Sequence, residues 1–236
     1  MRKYIILAGR TVRYNLKIIF AGKFVWFLLA AFVFFAFFMF QMAWDRVEIN
    51  EESIYYLLFF PCMLLIFYPV VFGIQNDEDS RMLEIIFSIP DYRYKFWGAR
   101  MLMVYVADYV ILLLFALLAR WLLYPVPVFE MAAQLLFPML FFGNLAFLFS
   151  TLTRSGNATA VIMIVLGLLF FIFMNAVDLI SRSFWNVFLN PFSRPREMHP
   201  LVWQSTILKS RLFLTVGGIV FLLAGLLNLR RREKFI

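Results

Sequence analysis

From Phe24 to Ala43 the chain carries no charged side chain, and the stretch Phe32-Val33-Phe34-Phe35-Ala36-Phe37-Phe38 is apolar throughout. A helix rises about 1.5 Å per residue, so about 20 such residues cross the ~30 Å hydrocarbon core of a bilayer. Residues 24–43, 54–74, 101–122, 131–152, 158–180 and 212–229 all reach that length. With 64% of its 236 residues hydrophobic, the chain exceeds what a soluble domain carries, and lipid becomes the solvent for most of it. Membrane-spanning strands would alternate apolar and polar residues, which these runs do not. The expected fold is an all-α integral membrane protein in one domain over residues 1–236, with six transmembrane helices.

Basic residues orient such a bundle, because cytoplasmic segments hold the excess of Lys and Arg. Fifteen of the 22 fall in residues 1–23, in 75–100, in the turn at 150–157 and after Leu229. Arg46, Arg120, Arg182, Arg194, Arg196, Lys209 and Arg211 fall on the other side. Both termini are therefore expected in the cytoplasm. The net charge of +8 expresses this asymmetry, with no stripe suited to a nucleic-acid backbone, so no nucleic acid is expected as a partner.

Residues 1–23 read as an interfacial amphipathic helix on the inner leaflet. Lys3, Arg10, Arg13 and Lys17 share one arc, and Ile5, Ala8, Val12, Leu16 and Ile19 lie opposite. The segment does not read as a cleaved leader, since its charged stretch is long and the apolar run that follows lacks a small-residue cleavage site. Two of the outer loops are short. The third, 181–211, is long and combines Trp185, Phe188, Phe192 and Trp203 with Pro191, Pro195 and Pro200, a pattern that predicts interfacial half-helices.

Residues for covalent chemistry are sparse. His199 and Cys62 are the only histidine and cysteine, and no Gly-rich phosphate loop or Gly-x-Ser-x-Gly elbow occurs. No metal site, cofactor site or catalytic set is expected in this chain. Ionisable and amide groups inside spans are costly and mark candidate function. Asp108 lies in the third run, where it would touch substrate, carry protons or pair with a basic residue of a neighbouring helix. Pro61, Pro69, Gly73, Asn144 and Asn175 complete the candidate translocation path, assigned chiefly to the second and fifth spans.

The stretch between the second and third spans differs from the rest. Asp77, Glu78 and Asp79 are expected at a helix N-terminus, where they would complement the dipole. Met82, Leu83, Ile85, Ile86 and Phe87 supply an apolar surface, and Pro90 ends the helix. A solvated loop has no use for so many large apolar side chains, so the membrane or a partner must cover them.

Leu83-Glu84, the apolar Ile85-Ile86-Phe87, Ser88, Pro90 and Arg93 resemble a motif of the membrane subunits of type-2 ABC transporters. In that family Gly-Thr precedes Leu-Glu, whereas Arg81-Met82 stands here, and Arg100 falls where the family has a Lys opening the next span. Ser150-Thr151-Leu152-Thr153-Arg154-Ser155 resembles the family's tight turn between the fourth and fifth spans. The resemblance covers nearly the whole chain in layout and about 25 residues in motif.

The resemblance implies a permease subunit of an ATP-driven exporter in the inner (plasma) membrane of a bacterial cell. Residues 76–90 would be a cytoplasmic coupling helix seated in a separate ATP-binding subunit, present in two copies that bind ATP and Mg. Asp77, Glu78, Asp79, Arg81 and Glu84 would meet polar groups of that subunit. Leu83, Ile86 and Phe87 would fill its apolar groove, and Pro90 would close the element. A second permease, identical or a sister, would complete the assembly. A non-transporting scaffold or immunity protein on the same fold, and an intramembrane enzyme seeded by Asp108, are the alternatives. The cargo is not readable from the sequence.

Overall fold

Asn50 breaks the apolar pattern after the first run, and its side chain starts the second helix. Its Oδ1 accepts from the Ser53 N–H at 2.9 Å, and Glu51 and Glu52 occupy the first turn, where acidic groups suit the dipole. The helix thus begins at Glu51, ahead of the apolar run expected from residue 54.

The computed structural model describes residues 24–44, 49–79, 81, 82, 92–176 and 182–229. The interfacial helix expected over 1–23 lies outside the described residues. The elements are α1 (Phe24–Trp44), α2 (Glu51–Val71), α3 (Gly73–Asp79), a π-helical turn (Arg93–Gly98), α4 (Ala99–Leu122), α5 (Val128–Thr153), α6 (Gly156–Ala176) and α7 (Pro200–Asn228). No strand occurs among the described residues. Six helical stretches are long and apolar enough to cross a membrane, with α2 and α3 forming one of them, Glu51–Asp79.

The last helix departs from expectation. Residues 200–211 belong to α7, and residues 182–199 form turns without a half-helix. Pro200 stands in the first helical turn, where its missing N–H is no loss, and His199 Nδ1 accepts from the Leu201 N–H at 3.3 Å. Lys209 and Arg211 end the apolar run without ending the helix.

Burial separates the helices. In both α2 and α5, 67% of the most apolar window is buried, against 17% in α1 and α6, so the first pair forms the core and the second its flanks. α5 touches α2, α4, α6 and α7. Its tightest partner is α7, whose glycines let the backbones approach. A Cβ on Gly225 would lie 2.7 Å from Phe147 Cδ1, and one on Gly217 would lie 2.9 Å from Phe141 Cε2. In lipid, where apolar burial does not drive helices together, such close packing supplies much of the association.

Gly225→Ala should therefore destabilise the protein by about 1–3 kcal/mol, because Phe147 is enclosed and has little room to yield. Gly167→Ala on α6, where an added Cβ meets nothing within 4 Å, should leave the melting temperature in detergent unchanged. Equal melting temperatures for both variants would refute the close α5–α7 contact.

Candidate functional site

The acidic cluster sits at the opposite helix end from the one expected. Asp77, Glu78 and Asp79 occupy the last turn of α3, which continues the second span, and do not open a new helix. Carboxylates there oppose the negative end of the dipole. Asp77 is compensated by Arg100 in the first turn of α4, whose Nη1 lies 2.5 Å from Asp77 Oδ2. Both side chains are nearly enclosed, with 6% and 5% exposure. The Arg100 guanidinium also stands 5.3 Å over the Trp97 ring. Gly73 packs beside it, where an added Cβ would lie 3.4 Å from Arg100 Nη2, an ordinary contact. Gly73 is therefore a buried neighbour of the arginine. Asp77 is an internal tie, whereas Glu78 and Asp79 are exposed.

Beyond Asp79 the helix stops. Arg81 is exposed and adopts φ 54°, a left-handed conformation that glycine adopts at least cost. Helical geometry resumes at Met82. Leu83, Glu84, Ile86, Phe87 and Pro90, and with them most of the coupling helix expected over 76–90, lie outside the described residues.

Several helix ends are joined beside the Asp77–Arg100 pair. Gln75 Oε1 accepts from the Gly156 N–H at 2.6 Å, satisfying a donor in the first turn of α6. Ser150 Oγ donates to the Val71 carbonyl at 3.2 Å, and Asn228 Nδ2 donates to the Thr151 carbonyl at 2.8 Å. The Tyr92 hydroxyl donates to the Leu229 carbonyl. The α5–α6 connection is tight because Arg154 also turns through a left-handed φ of 58°, and Ser155 Oγ accepts from the Ala158 N–H at 3.3 Å. The ends of α3, α4, α5, α6 and α7 thus converge on one patch.

Deeper in the bundle, the Tyr105 hydroxyl of α4 lies 2.7 Å from Asn144 Oδ1 of α5. A Cβ on Gly143 would lie 2.8 Å from that hydroxyl, so the glycine permits the contact. Asp108 is 1% exposed, lies within electrostatic reach of Cys62 and Tyr105, and its Oδ2 has no hydrogen-bond partner among the described residues. It forms no ion pair among them either. Pro61, Pro69 and Asn144 are buried in the packed interior, and α6 carries Asn175 near its end. Pro61, Pro69, Gly73, Asp108 and Asn144 border neither of the two cavities found among the described residues. The larger is a groove of about 470 Å³ that runs between α2 and α6 over a floor from α5, lined on α2 by Tyr56, Phe59, Phe60, Met63, Ile66 and Phe67. It adjoins the two spans chosen from the sequence, but through their aromatic faces.

Arg211 was read from the sequence as an outer-loop charge, yet it is buried. Its Nε donates to Gln134 Oε1 at 2.7 Å, its Nη2 donates to the Leu189 carbonyl at 3.2 Å, and its guanidinium lies 5.6 Å over Phe137. Arg211 Nη1 and the Tyr55 hydroxyl are enclosed without hydrogen-bond partners among the described residues, yet close enough to interact electrostatically. The available signal was Gln134, a polar group in an otherwise apolar run. Around this end, Glu52 receives Ser193 Oγ on its Oε1 at 2.7 Å and Asn190 Nδ2 on its carbonyl at 3.1 Å, which fold the 182–199 segment over the bundle.

Arg100→Met would strand the Asp77 carboxylate and should cost about 3–5 kcal/mol, read as a fall in melting temperature. Adding Asp77→Asn should recover much of that loss, since no uncompensated charge then remains buried; additive losses would refute the direct pairing. At the helix break, Arg81→Gly should be tolerated, whereas Arg81→Val should cost about 1–2 kcal/mol because a β-branched residue resists positive φ. A similar melting temperature for both variants would contradict the left-handed turn.

Compared with family models, with curated proteins and with solved structures, the chain has no match in any of the three.

Proposed function

We propose that this chain is the permease subunit of an ATP-driven exporter, a multi-pass protein of the inner (plasma) membrane with both termini in the cytoplasm. Its resemblance to type-2 ABC transporter membrane subunits over residues 77–100 suggests the class. The observation that carries the reading is the convergence of five helix ends on the patch that flanks the 80–91 connector. A push on that connector would reach α3 and α4 through Asp77–Arg100 and α6 through Gln75. Arg81 adds support, because its left-handed φ falls where the family pattern has glycine.

In this reading the docking surface for the ATP-binding subunit comprises Glu78, Asp79, Arg81 and the 83–90 segment with Glu84. Asp77 lies behind that surface and transmits its movement. ATP and Mg belong to the partner, whose two copies close and reopen. A bistable bundle of two permeases then alternates between states open to either side. The chain performs no covalent step.

Affinity purification of the full chain from its native membrane should bring an ATP-hydrolysing subunit with it. Glu84→Lys should lower recovery of that subunit by roughly tenfold, equivalent to about 1.4 kcal/mol, without lowering the melting temperature of the permease. Full assembly and unchanged ATP turnover with Glu84→Lys would remove that residue from the docking surface, and absence of any ATPase would sink the exporter reading.

A further inference from the structure

The α2–α6 groove ends at a second cavity of different chemistry. This neighbouring space, about 310 Å³, is bordered by Arg182, Asn186, Asn190, Ser193 and Arg194, and it shares Tyr56 and Phe188 with the groove. Phe188 marks the junction, with ring centroids 5.6 Å from both Phe59 and Phe142 and 6.0 Å from Phe171. The apolar groove therefore abuts a polar space that holds two arginines, where Asn190 and Ser193 are already bonded to Glu52.

We propose that the groove and this polar space together bind one anionic glycerophospholipid, with an acyl chain along α2 and α6 and the phosphate beside Arg194 and Arg182. Length supports this occupant. From Tyr56 to Phe67 the groove follows α2 for about 16 Å at 1.5 Å per residue, about half the ~30 Å hydrocarbon core, which is the depth of one leaflet. Charge supports it as well. Arg194 makes no ion pair among the described residues, whereas Arg182 stands 3.6 Å from Glu197 in an exposed pair of little strength. Arg194 carries the larger share of the headgroup attraction. Gly167 keeps the α6 wall open, since a Cβ there would meet nothing within 4 Å. The site stands on groove, length and charge, and does not depend on the exporter reading.

The test uses the full chain in nanodiscs of equimolar phosphatidylglycerol and phosphatidylcholine, released for native mass spectrometry to count retained lipids. The unmodified protein should hold one phosphatidylglycerol in preference to phosphatidylcholine. Arg182→Glu with Arg194→Glu should reduce that preference by roughly tenfold or more, as expected for two cations beside one anionic headgroup. Gly167→Phe should expel lipid of both headgroup types at an unchanged melting temperature. Arg182→Gln with Arg194→Gln serves as a milder second variant and should weaken the preference in the same direction. Equal retention of the two lipids by the unmodified protein would overturn the proposal, as would retention by Gly167→Phe at the unmodified level. Conversion of a dimer to a monomer by Gly167→Phe, with lipid retention unaffected, would assign the groove to a second copy of the chain and overturn it too.

Discussion

The arrangement of the helix ends depends on the ion pair between Asp77 and Arg100. The carboxylate sits in the last turn of α3, where the helix dipole disfavours it, and the guanidinium stands within a helical stretch that already runs from Tyr92. Neither would be stable there alone, because removing an ion from water costs several kcal/mol. Together they neutralise one another, and the fixed reach of two side chains sets the spacing of the second and third spans. Gly73 packs beside the guanidinium, and Trp97 presents a ring face to it. The pair ties the end of the second span to the start of the third.

The same economy of polar contacts extends across the bundle. A lipid-facing helix gains little by burying leucine against leucine, so helices associate through small residues and side-chain hydrogen bonds. Here α5 is the hub. Its Asn144 meets Tyr105, its Gln134 meets Arg211, its Ser150 reaches Val71, and its Phe141 and Phe147 pack on α7 glycines. Among the described residues, α1 and α6 show few side-chain hydrogen bonds to other helices beyond the start of α6. Their exposed valines, leucines, isoleucines and phenylalanines meet acyl chains or a neighbour, and α6 leaves the groove beside α2.

Much of the helical layout was legible because it is local. Charge-free runs of sufficient length become spans whatever surrounds them, and the Arg154-Ser155 turn follows a break in apolar patterning. The starts of α2 and α7 were misplaced because the apolar runs begin only at Ile54 and Leu212, whereas the helices already begin at Glu51 and Pro200. Asp77 was misread for a related reason. Three adjacent acidic residues look equivalent in sequence, yet Asp77 faces inward toward a partner 23 residues away, while Glu78 and Asp79 face out.

By itself, the sequence determined that this chain folds as apolar helices and takes lipid as its solvent, since helix rise, apolar length and capping are set within one segment. Only tertiary structure decided that Arg211 lies inside and that Pro61 and Pro69 pack into the interior. It also decided that Asp77 is a tie, and that Tyr56 and Phe188 border both an apolar groove and a polar space holding Arg182 and Arg194. Those properties depend on which faces of separate helices meet, and the contacts are made between residues as far apart as Glu52 and Ser193, separated by 141 positions.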